Sequence, residues 1–95
     1  MLVFNVTFRF RPGMRDEFLE KIQPEGIAAA ARAEEGNLQY DWFISAENDA
    51  DLLLIEKYRD ADAVAAHDRQ AHVARLVELK EAYVADMAIE KYEKD

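Results

Sequence analysis

The residues best suited to proton chemistry in this chain lie between Glu35 and His72. Glu35-Gly36-Asn37-Leu38 leads into Tyr40-Asp41. Glu56-x-Tyr58-x-Asp60 is followed by Ala63, Val64 and His67, and then by His72, the second of only two histidines. An imidazole titrates near neutrality, so His67 is the first candidate to take a proton from a phenol. Its neighbours Ala63 and Val64 suggest a helical face turned inward. The plain alternative is a core histidine bonded to Glu56 or to a backbone carbonyl. Glu56 follows Leu53-Leu54-Ile55 and is expected to be partly buried. A buried carboxylate needs a partner or takes a proton. Glu56 is therefore a pocket acid or base, an orienter of His67, or a tie between strand and helix.

Four further positions complete the candidate set. Asn5 is an amide inside an otherwise apolar strand, and reads as a satisfied core group or as a hydrogen-bond donor to a phenolate or bound oxygen. Tyr40 and Trp42 share one strand face, where they either pack the core or wall an aromatic pocket. On a continuous helix His72 would lie roughly 140° around from His67. The two share a site only if the helix breaks near Arg69-Gln70. Metal-binding histidine pairs on a helix use i, i+4 spacing, which these two lack. With no cysteine and no dinucleotide fingerprint, no metal or flavin is expected.

The elements that must hold these groups are legible from periodicity. Residues 2–10 alternate, with Leu2, Phe4, Val6, Phe8 and Phe10 on one face and Val3, Asn5, Thr7 and Arg9 on the other, which predicts a strand. Pro12-Gly13 ends it. Asp16 and Glu17 suit a first helical turn, and Phe18, Leu19 and Ile22 form its apolar stripe. Pro24 should break that helix. Ala28 to Ala33 resumes it, with Gly36 as its expected C-cap. Residues 38–45 form a second strand. After the turn at Glu47 to Asp51, Leu52 to Ile55 begins a third, apolar on both faces and so expected to be covered on both. Asp60 is an N-cap for a helix through His67. More helix follows through Val73 to Leu79, and residues 84–92 make a fourth strand. The order β-α-β-β-α-β is the ferredoxin-like, α+β arrangement: a four-stranded antiparallel sheet with helices on one face. The other face, with Phe4, Val6, Phe8 or their neighbours, needs a cover, and a second copy is the simplest one.

Composition bounds the rest. The 95 residues make a single domain, residues 1–95. With 51% hydrophobic and 11% aromatic residues, some apolar surface is expected to meet a partner, because a chain this short buries only about 60–65% of its surface alone. A net charge of −8 with scattered basic residues argues against nucleic acid, which needs clustered Lys and Arg. No apolar run approaches the ~20 residues of a membrane span. The start Met1-Leu2-Val3-Phe4-Asn5 has no basic leader, so no signal peptide is expected, and the absence of cysteine fits a cytoplasmic protein.

Taken together, Arg11-Pro12-Gly13 with Phe18, Glu35-Gly36-Asn37-Leu38 with Tyr40-Asp41, and Glu56-x-Tyr58-x-Asp60 with Ala63, His67 and His72 resemble the antibiotic biosynthesis monooxygenase domain family, including its quinol monooxygenase-like members. The resemblance covers essentially the whole chain. It implies a dimeric α/β barrel in which each subunit keeps a pocket between sheet and helices. It also implies oxidation of a phenol or quinol by molecular oxygen with no metal or flavin, and it favours the reading of Asn5 as a site residue. Other relatives degrade haem or isomerise small phosphorylated sugars. The haem-degrading pattern needs a Trp where His67 stands and a His where Val77 stands, so no haem is expected. The isomerase-like relatives share the Glu-x-Tyr-x-Asp and Ala-x-x-x-His pattern. The resulting expectation is a homodimeric, cofactor-independent monooxygenase of a small quinol or phenol. His67 is its base, Glu56 the orienter and Asn5 the oxyanion donor, with Trp42, Tyr40 and His72 around the substrate. A small-molecule isomerase or a non-enzymatic ligand-binding dimer is the alternative.

Overall fold

A computed structural model describes all residues, Met1–Asp95. The elements are β1 (Leu2–Phe10), α1 (Met14–Ile22), a 3₁₀ turn (Gln23–Glu25), α2 (Ile27–Arg32), β2 (Asn37–Ile44), β3 (Asp51–Tyr58), α3 (Ala61–Asp68), α4 (Ala71–Tyr83) and β4 (Val84–Glu93). The strands form one antiparallel sheet in the order β2-β3-β1-β4. This is the expected ferredoxin-like arrangement, with the helices on one face. No helix is long and apolar enough to cross a membrane.

Local chemistry explains the breaks. Pro24 interrupts the first helical stretch as a 3₁₀ turn, and Gly26 turns the chain at φ 67° before α2. Asp60 caps α3, its carboxylate accepting from the Ala63 N–H at 2.9 Å. A cap of this kind contributes about 1 kcal/mol. Between α3 and α4 the chain leaves helical geometry, with Gln70 extended at φ −77°, ψ 144°.

Phe4, Val6, Phe8 and Phe10 face the helices. Phe8, Phe10 and Phe18 are almost fully buried with Leu52, Leu54 and Tyr40. Ring centroids of Phe10 and Phe18 lie 5.0 Å apart, and those of Phe8 and Trp42 5.4 Å. Such pairs add about 0.5–1.5 kcal/mol beyond area burial. Of the two sets expected for the bare side of the sheet, Phe4, Val6 and Phe8 or their neighbours, it is the neighbours that lie there. The aromatic face of β1 is the one that α1 covers, because Phe18 supplies rings for it to pack on. The uncovered face instead carries Val3, Asn5, Thr7 and Arg9, with Leu53 and Ile55 of β3 beside them.

Gly36 does not act as a left-handed helix cap, since only Gly13 and Gly26 have positive φ. Its requirement is space. A Cβ there would come within 2.2 Å of the Ala63 Cβ, and its carbonyl accepts from the Arg59 N–H at 2.9 Å. The turn before β2 is thus pressed onto the start of α3. Gly36→Ala should destabilise the fold by about 1–3 kcal/mol through overpacking, read as a lowered urea midpoint with an unchanged slope. Wild-type stability in that variant would contradict the packing described.

Candidate functional site

A cleft of about 280 Å³ opens between the helix-facing side of the sheet and the α3–α4 layer. Most of its wall is apolar, with Phe4, Leu54, Val73 and Leu76 among the contributors. Its polar groups concentrate at one end, where Tyr40, Glu56, Tyr58 and His67 line it together. Register explains the convergence. Tyr40 pairs with Glu56 across β2 and β3, so the two side chains leave the sheet on the same face, and Tyr58 follows Glu56 by one alternation. His67, in the last turn of α3, comes down onto them.

The centre of the site is a buried imidazole between two carboxylates. His67 Nδ1 lies 2.9 and 3.0 Å from the two carboxylate oxygens of Glu34. His67 Nε2 lies 3.3 Å from Glu56 Oε1. The Tyr58 hydroxyl donates to the same Glu56 oxygen at 2.5 Å. His72 Nε2 lies 2.7 Å from Glu34 Oε2. Side-chain exposure is only 9% for His67, 13% for Glu34 and 14% each for Glu56 and His72, so these contacts are little screened. Burial pulls the His67 pKa down, but hydrogen bonding to Glu56 and Glu34 and their negative charge outweigh it, and the imidazole titrates above its ordinary value. Burial, then the charges of Glu56 and Glu34, push the Tyr40 phenol far up. Tyr58 is pushed up likewise, by burial first and then by its bond to Glu56. Both phenols therefore stay protonated as hydrogen-bond donors. The Tyr58 proton is engaged; the Tyr40 hydroxyl has no partner within the chain.

His67, Glu56 and Tyr40 come together on the cleft, as their spacing suggested. Asn5 does not join them. It alternates with Phe4 and Val6 and so sits on the opposite face of the sheet, where it cannot reach the cleft. Trp42 shares a face with Tyr40, but its ring packs among Phe8, Phe18 and Tyr40. It borders a different hollow, of about 640 Å³, between β2 and the α1–α2 segment. That hollow is larger, yet its charged groups Arg32 and Asp41 neutralise each other at 3.1 Å, and no free acid or base is left there. His72 shares the cluster but not the cleft wall. The interruption of the helix after Asp68 turns its ring to within 5.8 Å of the His67 ring, behind it and against Glu34.

Glu34 is the residue that sequence reading missed. Ile27, Ala31 and Glu34 follow i, i+4, i+7 spacing. Ile27 and Ala31 are buried on the inner side of α2, and Glu34 continues that stripe just beyond the helix. Its neighbour Glu35 is 93% exposed and borders only Arg59.

The fold class is thus a ferredoxin-like α+β sheet that keeps an acid–imidazole cleft under its helices. The chain belongs to the antibiotic biosynthesis monooxygenase family, whose model matches residues 1–79. It is 35% identical over 77 residues to "Putative monooxygenase YcnE" of Bacillus subtilis (strain 168), covering 81% of this chain and 79% of that protein. The crystal structure of PA3566 from Pseudomonas aeruginosa superposes with a TM-score of 0.87 at 26% identity, over 99% of this chain and 93% of that one. A crystal structure of an antibiotic biosynthesis monooxygenase matches with a TM-score of 0.86 at 24% identity, over 100% and 99% of the two chains, a likeness of fold alone.

Proposed function

We propose that this chain is a cofactor-independent monooxygenase that oxidises a small quinol or phenol in the cleft under α3 and α4. The observation that carries the reading is the Glu56–His67 pair, a buried acid–imidazole couple at the polar end of an apolar, aromatic-lined cleft. Family membership supports the same class of chemistry. A cleft of about 280 Å³ sits at the small end of ligand pockets and suits one or two fused rings.

The pair acts as a unit. A substrate hydroxyl gives its proton to the Glu56–His67 couple, and Glu34 behind His67 steadies the charge that results. The electron-rich anion left in the cleft reduces oxygen directly and bonds one oxygen atom at a ring carbon. Loss of water from that peroxide, with the proton returned by His67, leaves a hydroxyquinone. Quinol plus oxygen thus becomes hydroxyquinone plus water, and the substrate supplies every electron. Tyr40, with a free and firmly protonated hydroxyl, takes the role of hydrogen-bond donor to the substrate oxyanion. A phosphorylated substrate fits less well, since Lys80 is the one lysine or arginine lining the cleft and two carboxylates, Glu56 and Asp68, line it too. Oxygen uptake with a panel of small quinols and phenols tests the proposal. Uptake with at least one of them supports it, and silence across the panel while a sugar phosphate is isomerised would refute it.

The working form we propose is a homodimer. Phe43 and Tyr92 on the uncovered sheet face are 44% and 50% exposed, at the two edges of a face that also carries Val3, Leu53 and Ile55. An apolar sheet face without a helix layer is what a second copy would cover. Phe4 and Phe8 face the helices, so a charge there would probe the core. Phe43→Asp, on the uncovered face, is the informative change. It should shift the light-scattering mass at micromolar concentration from two chains toward one. Wild-type protein that is already monomeric under those conditions would contradict the proposal.

A further inference from the structure

We infer that Glu34, His67 and His72 form a binding site for one divalent transition-metal ion of borderline softness, such as zinc, directly behind the catalytic cleft. The donor atoms of the three residues lie within 4.8 Å of one another. His67 Nδ1 and His72 Nε2 both aim at a single atom, Glu34 Oε2, at 2.9 and 2.7 Å. Two imidazole nitrogens and one carboxylate oxygen converging on one point are the donor set of three-ligand zinc sites. Metal–ligand bonds of roughly 2.0–2.2 Å need the donors only slightly farther apart than they now stand. Glu34 lies in the turn after α2, outside any helix or strand, and can retreat by that amount.

The surroundings suit a cation. Neither Glu34 nor Glu56 is paired with a lysine or arginine; their ion-pair partners are the two imidazoles. The cluster therefore holds two buried carboxylates that only protons or a metal can balance. Glu56 at 3.3 Å from His67 Nε2 supplies the carboxylate–histidine support that metal-bound imidazoles use. Tyr58 in turn fixes Glu56 at 2.5 Å. Access comes from outside the cleft: Glu34 borders a surface hollow with Ala30, Ala33, Ala66 and Gln70, so an ion can enter from the surface. The i, i+5 spacing of the histidines spoke against a metal only on a continuous helix. The break at Arg69-Gln70 removes that objection, and Glu34 supplies the third ligand.

The site goes beyond the oxidation proposed above and does not depend on it. An occupied site ties up His67 Nδ1 and leaves the ring's one proton on Nε2 toward Glu56, so the imidazole can accept no further proton and Glu56 loses the partner that shares one. The metal is thereby an inhibitor of the chemistry rather than a part of it.

The test reads metal directly, without substrate. Chelator-treated protein is titrated with Zn²⁺ by calorimetry and with Co²⁺ by visible absorption. We expect one equivalent per chain and ligand-field bands of a low-coordinate Co²⁺ site. His72→Gln and Glu34→Gln, each checked for an unchanged metal-free circular dichroism spectrum, should weaken binding at least tenfold and abolish those bands. Two such variants are made so that a folding failure in one leaves the other to decide. No saturable binding by wild-type protein at millimolar ion, or equal binding by both variants, would overturn the assignment.

Discussion

His67→Ala should lower turnover by about 10²–10⁴, the usual cost of losing the proton-transfer group, with the fold intact. The geometry gives a specific reason for so large a loss. His67 is the one ion-pair partner of Glu56 and bridges it to Glu34 at 3.3 and 2.9 Å. Deleting the ring leaves Glu56, only 14% exposed, with no ion-pair partner, while Glu34 keeps His72 at 2.7 Å. Glu56 then lacks both the ring that orients it and the partner that shares the proton taken from the substrate. The alanine also deletes the group that returns the proton when water is lost from the peroxide. Single-turnover rates beside the wild type check this, with circular dichroism to confirm folding. A variant within threefold of wild type would remove His67 from the mechanism. His72→Ala should cost less, because His72 reaches the cleft only through Glu34.

Tyr40→Phe should cost about 10²–10³ in kcat, the range typical for loss of one oxyanion donor, and little in KM. The ring stays, so packing against Trp42 at 6.1 Å and near His67 at 6.2 Å is preserved. Only the hydroxyl goes, and no other group of the chain uses it. Tyr58→Phe has a different signature. It removes the donor that holds Glu56 and should disturb the orientation of the acid. A Tyr40→Phe enzyme with wild-type kcat would show that the oxyanion is stabilised elsewhere. Asn5, on the far side of the sheet, is not a substitute.

Much of the fold and part of the site were legible in the sequence, for identifiable reasons. Period-two alternation in residues 2–10, Pro24 and the Asp60 cap act locally, and each produced the expected element. Glu56 and His67 could be paired because a strand that ends in Glu-x-Tyr-x-Asp leads at once into the helix that carries the histidine. Which face of β1 the helices cover is a tertiary fact. The strand alternates equally well either way, so Asn5 could not be assigned to a side, and the packing of Phe18 on Phe8 and Phe10 decided it. Trp42 illustrates a related limit: sharing a face with Tyr40 fixes its side of the sheet but not which of two hollows its ring borders. His72 depended on two non-helical residues, Arg69 and Gln70, whose types do not force a break. Glu34 was hidden by its neighbour Glu35, although the Ile27–Ala31–Glu34 spacing marks it as the acid that continues the buried stripe.

The central claim is that this cleft puts an oxygen atom from O₂ onto its own substrate. The most direct measurement is turnover of the best quinol or phenol of the panel under ¹⁸O₂, with mass spectrometry of the product and a parallel reaction in H₂¹⁸O. The account predicts one labelled oxygen in the product from the gas, none from water in freshly quenched samples, and loss of the labelled product in His67→Ala. Product that takes its new oxygen from water, or oxidation that leaves the label wholly in hydrogen peroxide, would contradict it.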